Sequence, residues 1–472
     1  MNRHVEGKGA QLLLLTVVAI GMFMDSLDGS IVNIALPSMT RSFGIDTGTA
    51  AWIVTIYFLV VAGLILVFGK LAGSGWLKRI FIVGFCLFTI GSAFCAMSPS
   101  FAILLASRII QGIGAAMIAS SAMMICVRYL PPHMLGYGLS ITVLGASLGV
   151  AAGPVIGGIL TDIASWHWIF IINIPIGIAV ILLGLRAIPN DIPAENRGRF
   201  DLGGAALLFV SLVSGLYVLE TGLSSGIDIL LLALLCVFAL CMTVLVHHCR
   251  HTADPVLDLS LFRSFGFDAA LIVLMLLNAC YVGIQYLLPF YMEKGLGFDT
   301  LVSGLYLVIP AAITLVICSK AGRLSDRISC RPFMIAANIA LIGAAAILFM
   351  IEPSSGTLPL ISALILMGLI YGLGGGPGGS RVVENAPDDK KNAGSAMMSF
   401  IIYFGSALGT ALFSAMFKLG SGSDQGYAAM TLSAFMDGFQ FAMGVGLVLS
   451  VIGLILSAVV NEKKKERDRI VR

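Results

Sequence analysis

The sequence predicts an all-α integral membrane protein with about fourteen transmembrane helices. Three observations support this fold class: 58% of the 472 residues are hydrophobic and only 11% are charged, long apolar runs recur along the whole chain, and basic residues concentrate between alternate runs. A soluble protein with so few charged residues could not cover its surface, so the composition places the chain in lipid.

Each apolar run is close to the length of about 20 residues that a helix needs to cross a bilayer. The runs are continuous rather than alternating, which excludes the strands of a membrane β-barrel. No A-x-A-like cleavage site follows the first run, so we interpret it as a span and not as a signal peptide. The predicted spans are residues 11–36, 50–69, 80–97, 101–127, 135–160, 167–187, 201–221, 227–247, 267–291, 301–319, 332–351, 358–377, 394–417 and 435–460.

The distribution of lysine and arginine predicts that both ends of the chain lie in the cytoplasm. If the amino terminus is inside and the spans alternate, all of the 28 basic residues except Arg41, Arg108, Lys294 and Lys418 fall on the inner side. An odd number of spans would break this pattern in one half of the chain. We therefore expect a multi-pass protein of the cytoplasmic (inner) membrane with an even number of spans.

A short loop sequence that occurs twice indicates an internal duplication. Gly69–Ala72 (GKLA) follows the second span, and Gly322–Arg327 (GRLSDR) follows the tenth. Two six-helix halves with an extra helix pair between them would place the copies in this way, and such parallel repeats are the architecture of major facilitator transporters. The predicted units are an amino-terminal half (1–189), an inserted pair with its linker (190–250) and a carboxy-terminal half (251–472).

A series of ordered motifs runs through the chain, more densely in its amino half: Leu27–Pro37, Trp52–Tyr57, Arg108–Gly114, Gly145–Gly158, Trp166–Gly177, Phe200–Asp201 and Asp254–Leu259. Together they resemble the fourteen-span drug:proton antiporter family of the major facilitator superfamily. The resemblance implies a 6 + 2 + 6 major facilitator fold and a proton-coupled exporter. It is much more specific for the family than for the substrate.

Asp25 and Asp28 lie inside the first predicted span, where a carboxylate costs about 2.5–3.5 kcal/mol on insertion scales. Three residues apart on a helix, they are separated by about 60° and share one side. A carboxylate removed from water holds a proton more readily, and a like-charged neighbour strengthens this effect, so the pair could exchange protons near neutral pH. Asp28 matches the family motif and is the favoured proton site. The alternative is that one or both only cap the span or bond to neighbouring helices.

Arg108 is permanently charged and must find partners inside the membrane. Gln111, one turn further along the fourth span, shares its helix face. The resemblance implies that this pair serves proton coupling or substrate contact. The alternative is a structural ion pair between Arg108 and one of the aspartates.

Gly149, Gly153 and Gly157 recur every four residues, which predicts a smooth helix face, while Pro154 removes a backbone hydrogen bond and bends the helix. In antiporters of this superfamily the bend is thought to seal the cavity against leakage. Ordinary close packing explains the glycines equally well.

The second copy of the loop sequence predicts a gate on the inner side. Gly322, Asp326 and Arg327 match the family there, and an aspartate at the start of a loop helix can bond to helix-end amides and to basic partners. In the first copy, Gly73 and Ser74 stand where the family has aspartate and arginine, so the second copy would carry more of the gating. Simple positive-inside charge explains the basic residues of the first copy.

A polar stripe on the ninth span, Asn278, Tyr281 and Gln285, is a candidate lining for a cavity that accepts an aromatic or cationic guest. Asn33 and Tyr57 from the first two spans are further cavity candidates. Bonding between helices would explain the stripe equally well. Glu220, near the outer end of the seventh span, is expected at the membrane interface.

No metal, nucleotide or enzymatic site is expected. His247, His248, Cys249 and His251 lack a second ligand cluster for zinc, and Gly372–Gly379 follows no strand and precedes no Gly-Lys-Ser/Thr, unlike a phosphate loop. The basic tail is an inner anchor rather than a nucleic-acid site. No nucleophile–base pair is apparent, so we do not expect an enzyme, and no cofactor is implied.

The favoured function is proton-coupled export of amphipathic, cationic or neutral small molecules by alternating access, by a monomer whose partners are its substrate, protons and the lipid bilayer. Two buried acids against one buried base favour a cationic cargo. The alternatives are a dedicated transporter of one metabolite, lipid or siderophore, or a membrane scaffold or sensor that does not transport.

Overall fold

A computed structural model describes residues 5, 7–191, 201–225, 228–252, 255–387, 390–422 and 426–459, and within them the chain is helical with no strands. The helices are α1 (Lys8–Phe43), α2 (Thr47–Gly73), α3 (Leu77–Ala96), α4 (Phe101–Tyr129), α5 (Leu135–Ile163), α6 (Trp168–Ile171), α7 (Asn173–Ala187), α8 (Leu202–Ser225), α9 (Ile229–His251), α10 (Phe265–Lys294), α11 (Thr300–Tyr306), α12 (Val308–Arg327), α13 (Arg331–Met350), α14 (Leu358–Asn385), α15 (Lys391–Ser421) and α16 (Leu432–Val459).

The described residues contain fourteen helical segments long and apolar enough to cross a membrane, each overlapping one predicted span. The all-α fold class and the number of spans are therefore confirmed. Two spans consist of two helices each, α6 with α7 and α11 with α12. In both, the first helix ends four residues before a proline, at Ile171 before Pro175 and at Tyr306 before Pro310. Proline cannot donate the hydrogen bond that would continue the helix there.

The helices pack mainly within two groups. In the first group α1 packs on α5, and α4 packs on α2 and α3; in the second, α14 packs on α12 and α13, and α10 and α16 pack on α15. The groups meet chiefly where α2 contacts α15 and where α5 contacts α11. The inserted helix α8 packs on α9, α2 and α15. The domain boundaries inferred from the sequence stay a prediction.

Glycines bring α5 against the part of α1 that carries the two aspartates. A Cβ at Gly149 would lie 2.3 Å from the carbonyl oxygen of Phe23, and one at Gly153 would lie 1.9 Å from the hydroxyl of Ser30. Gly157 faces Ile31 and Ile34 on the same helix. Larger side chains would push α5 away from α1. Pro154 lies inside the continuous helix α5, and its carbonyl oxygen lies against Gly304 of α11.

Asp201 connects the inserted pair to the segment that follows it. Its carboxylate is buried and accepts hydrogen bonds from the amides of Gly204 (2.8 Å) and Val256 (3.0 Å) and from Nε2 of His248 (2.6 Å). Desolvation by itself would raise the pKa of this carboxyl, but these hydrogen bonds and the nearby His248 lower it below its usual value. Two of the family-like motifs therefore meet in space.

The segment 255–264 also contacts both helix groups. The ammonium group of Lys70, at the end of α2, donates to the carbonyl oxygen of Pro255 (2.7 Å). Lys390, beside the start of α15, forms an ion pair of 2.8 Å with Asp258. Lys70 belongs to the first copy of the loop sequence, so this copy holds the linker although it lacks the aspartate and arginine of the family.

Replacing Asp201 is expected to destabilise the protein in a pH-dependent way. Asp201→Asn weakens hydrogen bonds to a charged group, each contributing about 1.5–3 kcal/mol, so its thermal midpoint in detergent should fall by several degrees near neutral pH. Because the folded-state pKa of Asp201 is lowered, its contribution is present above the unfolded pKa of about 3.9 and is lost as the pH falls through the folded value. The difference between the two proteins should therefore shrink in acid.

The matched control is Asp228→Asn, because Asp228 caps α9 through the amide of Leu231 alone and a cap contributes about 1 kcal/mol. The stabilising role of the Asp201 carboxylate would be contradicted if Asp201→Asn destabilised the protein no more than Asp228→Asn does. It would also be contradicted if the destabilisation persisted unchanged in acid.

Candidate functional site

The candidate site lies in the middle of the first helix group, where α1, α2, α3, α4 and α7 each contribute polar side chains. Asp25 and Asp28 come from α1, and Arg108 and Gln111 come from α4. All four are buried, with at most 5% of their surface exposed. The structure therefore brings together the four residues that the sequence singled out for coupling.

Asp28 forms an ion pair with Arg108 and accepts two further hydrogen bonds. Its Oδ2 lies 2.6 Å from Nη1 of Arg108. Its Oδ1 accepts from Nε2 of Gln111 at 2.7 Å and from Nδ2 of Asn173 at 3.1 Å. Arg108 supplies the opposite charge to this carboxylate, and the hydrogen bonds fix its orientation.

Arg108 has additional partners that fix its orientation. Its Nη1 also donates to Oε1 of Gln111 (2.7 Å), and its Nε donates to the carbonyl oxygen of Ile53 (3.1 Å). The guanidinium lies 4.2 Å from the ring centre of Tyr57, within the range of a cation–π contact. Arg108 therefore holds α1, α2 and α4 together.

Asp25 has different partners from Asp28. Its Oδ1 accepts a hydrogen bond from the hydroxyl of Tyr57 (3.2 Å), and its Oδ2 accepts one from the hydroxyl of Tyr403 (2.9 Å). Tyr57 belongs to α2 in the first helix group, whereas Tyr403 belongs to α15 in the second. No basic side chain of the described residues forms an ion pair with Asp25.

The two aspartates therefore carry different chemistry although they share one side of α1. The charge of Asp28 is balanced by Arg108. The charge of Asp25 is stabilised by two neutral hydroxyl groups, which is a weaker compensation for a buried carboxylate. Asp25 can accept a proton without breaking an ion pair, and its hydrogen bonds bridge the two helix groups.

Asn33 lies on α1, five residues beyond Asp28. Its amide donates to the carbonyl oxygen of Gly29 (3.4 Å), and its own Oδ1 is buried without a hydrogen bond in the described part of the chain. A buried unsatisfied acceptor in a membrane span is costly unless a water or a ligand reaches it. Asn33 therefore stays a candidate residue for lining a cavity.

The residues of the polar stripe on α10 differ in their contacts: Asn278 and Tyr281 contact other helices, whereas Gln285 does not use its side chain for hydrogen bonding among the described residues. Asn278 donates to Ser406 (2.9 Å) and to the carbonyl oxygen of Ile402 on α15, and accepts from the hydroxyl of Tyr371 on α14. The ring of Tyr281 lies edge-on to that of Tyr371. Gln285 is half-buried and makes no side-chain hydrogen bond to the described residues. The geometry at Asn278 corresponds to the alternative of bonding between helices.

Among the side chains that the structure describes, the second loop copy, where we predict an inner gate, forms no ion pair. A Cβ at Gly322 would have no neighbouring atom of the described residues within 4 Å. Arg327 is exposed and forms no ion pair among the described residues. The side chain of Asp326 lies outside the described part of the chain. Its gating role stays a prediction.

Glu220 is covered by neighbouring helices, and the expectation that it lies at the level of the membrane interface stays a prediction. Its side chain is only 5% exposed because α2 and α15 pack against the end of α8 that carries it. The hydropathy of one span cannot reveal which neighbours cover it. A cavity between these three helices adjoins the Glu220 carboxylate.

Three residues of the site were not singled out as site residues from the sequence: Ser92, Asn173 and Tyr403. Asn173 lies in the sixth-span motif, and an amide in an apolar span is a signal that could have identified it. Ser92 accepts from Gln111 at 2.9 Å, but a serine in a membrane helix is too common to be informative. Nothing in the sequence near Tyr403 indicates that it reaches α1.

The chain matches a known family and full-length relatives. Residues 18–410 match the family described as the Major Facilitator Superfamily. The riboflavin transporter RibZ of Clostridioides difficile (strain 630) is 32% identical over 457 residues, which cover 94% of this chain and 96% of that protein. The multidrug resistance protein MdtD of Klebsiella pneumoniae subsp. pneumoniae is 30% identical over 408 residues, covering 84% of each.

Solved structures show the same fold at low sequence identity. A bacterial homologue of the human lysosomal transporter Spinster, in an inward-facing and unoccupied conformation, has a TM-score of 0.68 and 15% identity and covers 96% of this chain and 98% of its own. A point mutant of the nucleoside transporter NupG has a TM-score of 0.66 and 12% identity and covers 95% of this chain and 100% of its own.

Breaking the Asp28–Arg108 pair is expected to destabilise the protein more than removing it entirely. Asp28→Asn leaves a buried guanidinium uncompensated, a loss of about 3–5 kcal/mol, and Arg108→Gln leaves a buried carboxylate with a similar loss. The double variant carries neither charge, so its loss should be clearly smaller than the sum. Thermal unfolding in detergent measures all three, with Ser92→Ala as a control for a single neutral hydrogen bond. Strictly additive losses would show that the pair is not coupled.

Proposed function

Because the chain belongs to the major facilitator superfamily, we propose that it is a secondary active exporter that exchanges protons for amphipathic, cationic or neutral small molecules. The two halves would alternate access to a central site between the two sides of the membrane. The observation that carries the proposal is Asp25, a buried carboxylate without an ion-pair partner among the described residues, bound by hydroxyls from both helix groups.

Asp25, rather than Asp28, is the better candidate for the transported proton. Protonation of Asp28 would cost the ion pair with Arg108 and leave that guanidinium uncompensated. Protonation of Asp25 removes a net buried charge, which burial favours. This reverses the preference drawn from the family motif, where Asp28 is the motif residue.

The same geometry favours a cationic cargo. With Asp28 neutralised by Arg108, Asp25 supplies the uncompensated negative charge of the site. The rings of Tyr57, Phe58 and Tyr403 lie beside it, with centroids 5.6–6.4 Å apart. A carboxylate among aromatic rings is a suitable environment for an amphipathic cation.

Protonation would also weaken a contact between the halves. Hydrogen bonds to a charged carboxylate are roughly twice as strong as those to a neutral group. A proton on Asp25 therefore loosens its bond to Tyr403 on α15 while releasing a bound cation. Proton binding, cargo release and movement of the halves would then be linked at one residue.

The contacts between the halves support an arrangement that is closed at the outer end. At the end of the bundle that the basic residues assign to the outside, Arg41 of α1 pairs with Glu293 of α10, and Tyr286 donates to the carbonyl oxygen of Thr47. Gly304 of α11 also lies against Pro154 of α5. These contacts would have to separate in an outward-open state. A monomer with both ends in the cytoplasm suffices for this cycle.

A dedicated transporter of one metabolite is the second candidate function. The specific observation in its favour is the relative named as a riboflavin transporter, which is 32% identical along nearly the whole chain. A planar heteroaromatic solute could stack on the same rings beside Asp25.

The decisive measurement is flux in proteoliposomes with an imposed pH gradient, using a lipophilic cation and riboflavin as separate cargoes. Proton-driven flux of the cation should be at least tenfold lower for Asp25→Asn, because the carboxamide can neither take up a proton nor attract a cation. Asp162→Asn, at an exposed position of α5, is the control. Undiminished coupled flux in Asp25→Asn would overturn the coupling role, and pH-driven flux of riboflavin alone would favour the second function.

Removal of the two tyrosine hydroxyls should separate proton binding from coupling between the halves. Tyr57→Phe and Tyr403→Phe each delete one donor to Asp25, but only Tyr403 belongs to the other helix group. We expect Tyr403→Phe to reduce proton-driven flux several-fold more than Tyr57→Phe, while the two variants bind the cation with similar affinity. Measurement of flux and of equilibrium binding checks this, and equal flux losses would show that the contact between halves has no special role.

A further inference from the structure

A second polar site lies at the end of the bundle assigned to the outside, away from Asp25. It is a cavity of about 260 Å³ between α2, α8 and α15. Its walls come from the first helix group, the inserted pair and the second helix group, and the two groups would separate here in the proposed alternating-access cycle. The lining residues that the argument uses are Asp46, Trp52, Tyr217, Glu220, Ser414 and Lys418.

Glu220 places a carboxylate in this cavity inside a membrane span, with 5% of its surface exposed. Such a charge requires compensation from a cation or a proton. Lys418 of α15 supplies a positive charge near Glu220, and Asp46 of α2 supplies a second negative charge. Part of the compensation of Glu220 therefore comes from α15, a helix of the second group.

Ser414 and Gly48 complete the cavity on the remaining sides. The hydroxyl of Ser414 is 1% exposed and makes no hydrogen bond in the described part of the chain. A Cβ at Gly48 would lie 2.9 Å from Asp46 and 3.7 Å from the Ser414 hydroxyl, so a side chain there would fill the space. A buried hydroxyl in the same cavity as a carboxylate can accept a hydrogen bond from the neutral acid.

We propose that Glu220 is a second proton-binding site, which takes up a proton from the outer side when α15 and Lys418 move away from α8. In the arrangement described here, the positive charge of Lys418 lies near Glu220, and the cavity is bounded by α2, α8 and α15. Once α15 separates, a proton replaces Lys418 as the compensating charge. Outer acid would thus favour the outward-open state. This inference rests on the alternating access and the orientation proposed above.

The other groups around Glu220 allow this role. On α10, Tyr286 lies close to Glu220 and donates to the carbonyl oxygen of Thr47, so it adds a neutral donor. On α8, Tyr217 packs its ring on Trp52 of α2. On α9, the acidic group at this end is Asp228, which caps that helix. Asp46 is likewise occupied as the cap of α2, accepting from the amide and hydroxyl of Thr49.

Thiol labelling in lipid nanodiscs tests the proposal without any transport assay. Ala415 lines the cavity and is 1% exposed, so in a background without accessible native cysteines Ala415→Cys should react with a maleimide only when α15 moves. Its rate is divided by that of Ser42→Cys, an exposed position near the same end, to remove the pH dependence of the thiol itself. With Glu220 present, the ratio should rise on acidification by up to about tenfold per pH unit, the limit for one proton.

Two variants distinguish a specific effect of Glu220 from a general loosening of the helix packing. Glu220→Gln mimics the protonated acid and should give a high ratio that no longer depends on pH. Lys418→Met removes the competing cation and should move the midpoint of the pH dependence upward. The control is Glu293→Gln, which breaks the other outer contact with Arg41 and should raise the ratio at every pH while keeping its pH dependence.

A pH dependence that is unchanged in Glu220→Gln, or a midpoint that is unmoved in Lys418→Met, would overturn the proposal. Failure of the proposed function is distinguishable. If the protein does not exchange protons for cargo, the labelling still reports whether Glu220 controls the cavity. If coupled flux is intact but labelling does not depend on Glu220, this site alone is disproved.

Discussion

The buried ion pair between Asp28 and Arg108 is the constraint on which the first helix group depends. A guanidinium inside a bilayer requires an anion and several acceptors, and Arg108 finds them on α1, α2 and its own helix. The carboxylate of Asp28 also accepts a hydrogen bond from Asn173 of α7, and Gln111 donates one to Ser92 of α3. Each of these helices must present its polar residue to one point, so the network sets the rotation of the helices about their axes.

This pairing makes Asp25 the acid that exchanges a proton in the proposed function. One acid is held in a fixed structure and the other, three residues away, is bound only by hydroxyls. Tyr57 connects the two, because its hydroxyl binds Asp25 while its ring covers Arg108. In the proposed function, the ion pair of Asp28 would keep the helices in place while Asp25 binds and releases a proton.

Polar contacts join the two helix groups at three depths along the helix bundle: at each end and near its middle. The segment 255–264 joins α2 and the start of α15 at one end, the Asp25–Tyr403 contact lies at mid-depth, and Arg41–Glu293 with the Glu220 cavity lies at the other end. Interfaces between moving domains are generally more polar than cores. Contacts of this kind can be exchanged for water or for protons as the parts separate.

The sequence by itself determined the fold class, the fourteen spans and the presence of costly charges at Asp25, Asp28 and Arg108. These follow from local hydropathy, because a backbone in lipid must satisfy its own hydrogen bonds segment by segment. Only the tertiary structure decided which acid pairs with Arg108, that Tyr403 reaches Asp25 across 378 positions of the chain, and that Glu220 is buried. Those outcomes depend on how helices distant in sequence rotate and pack against one another, and the pattern within a single span does not contain that information.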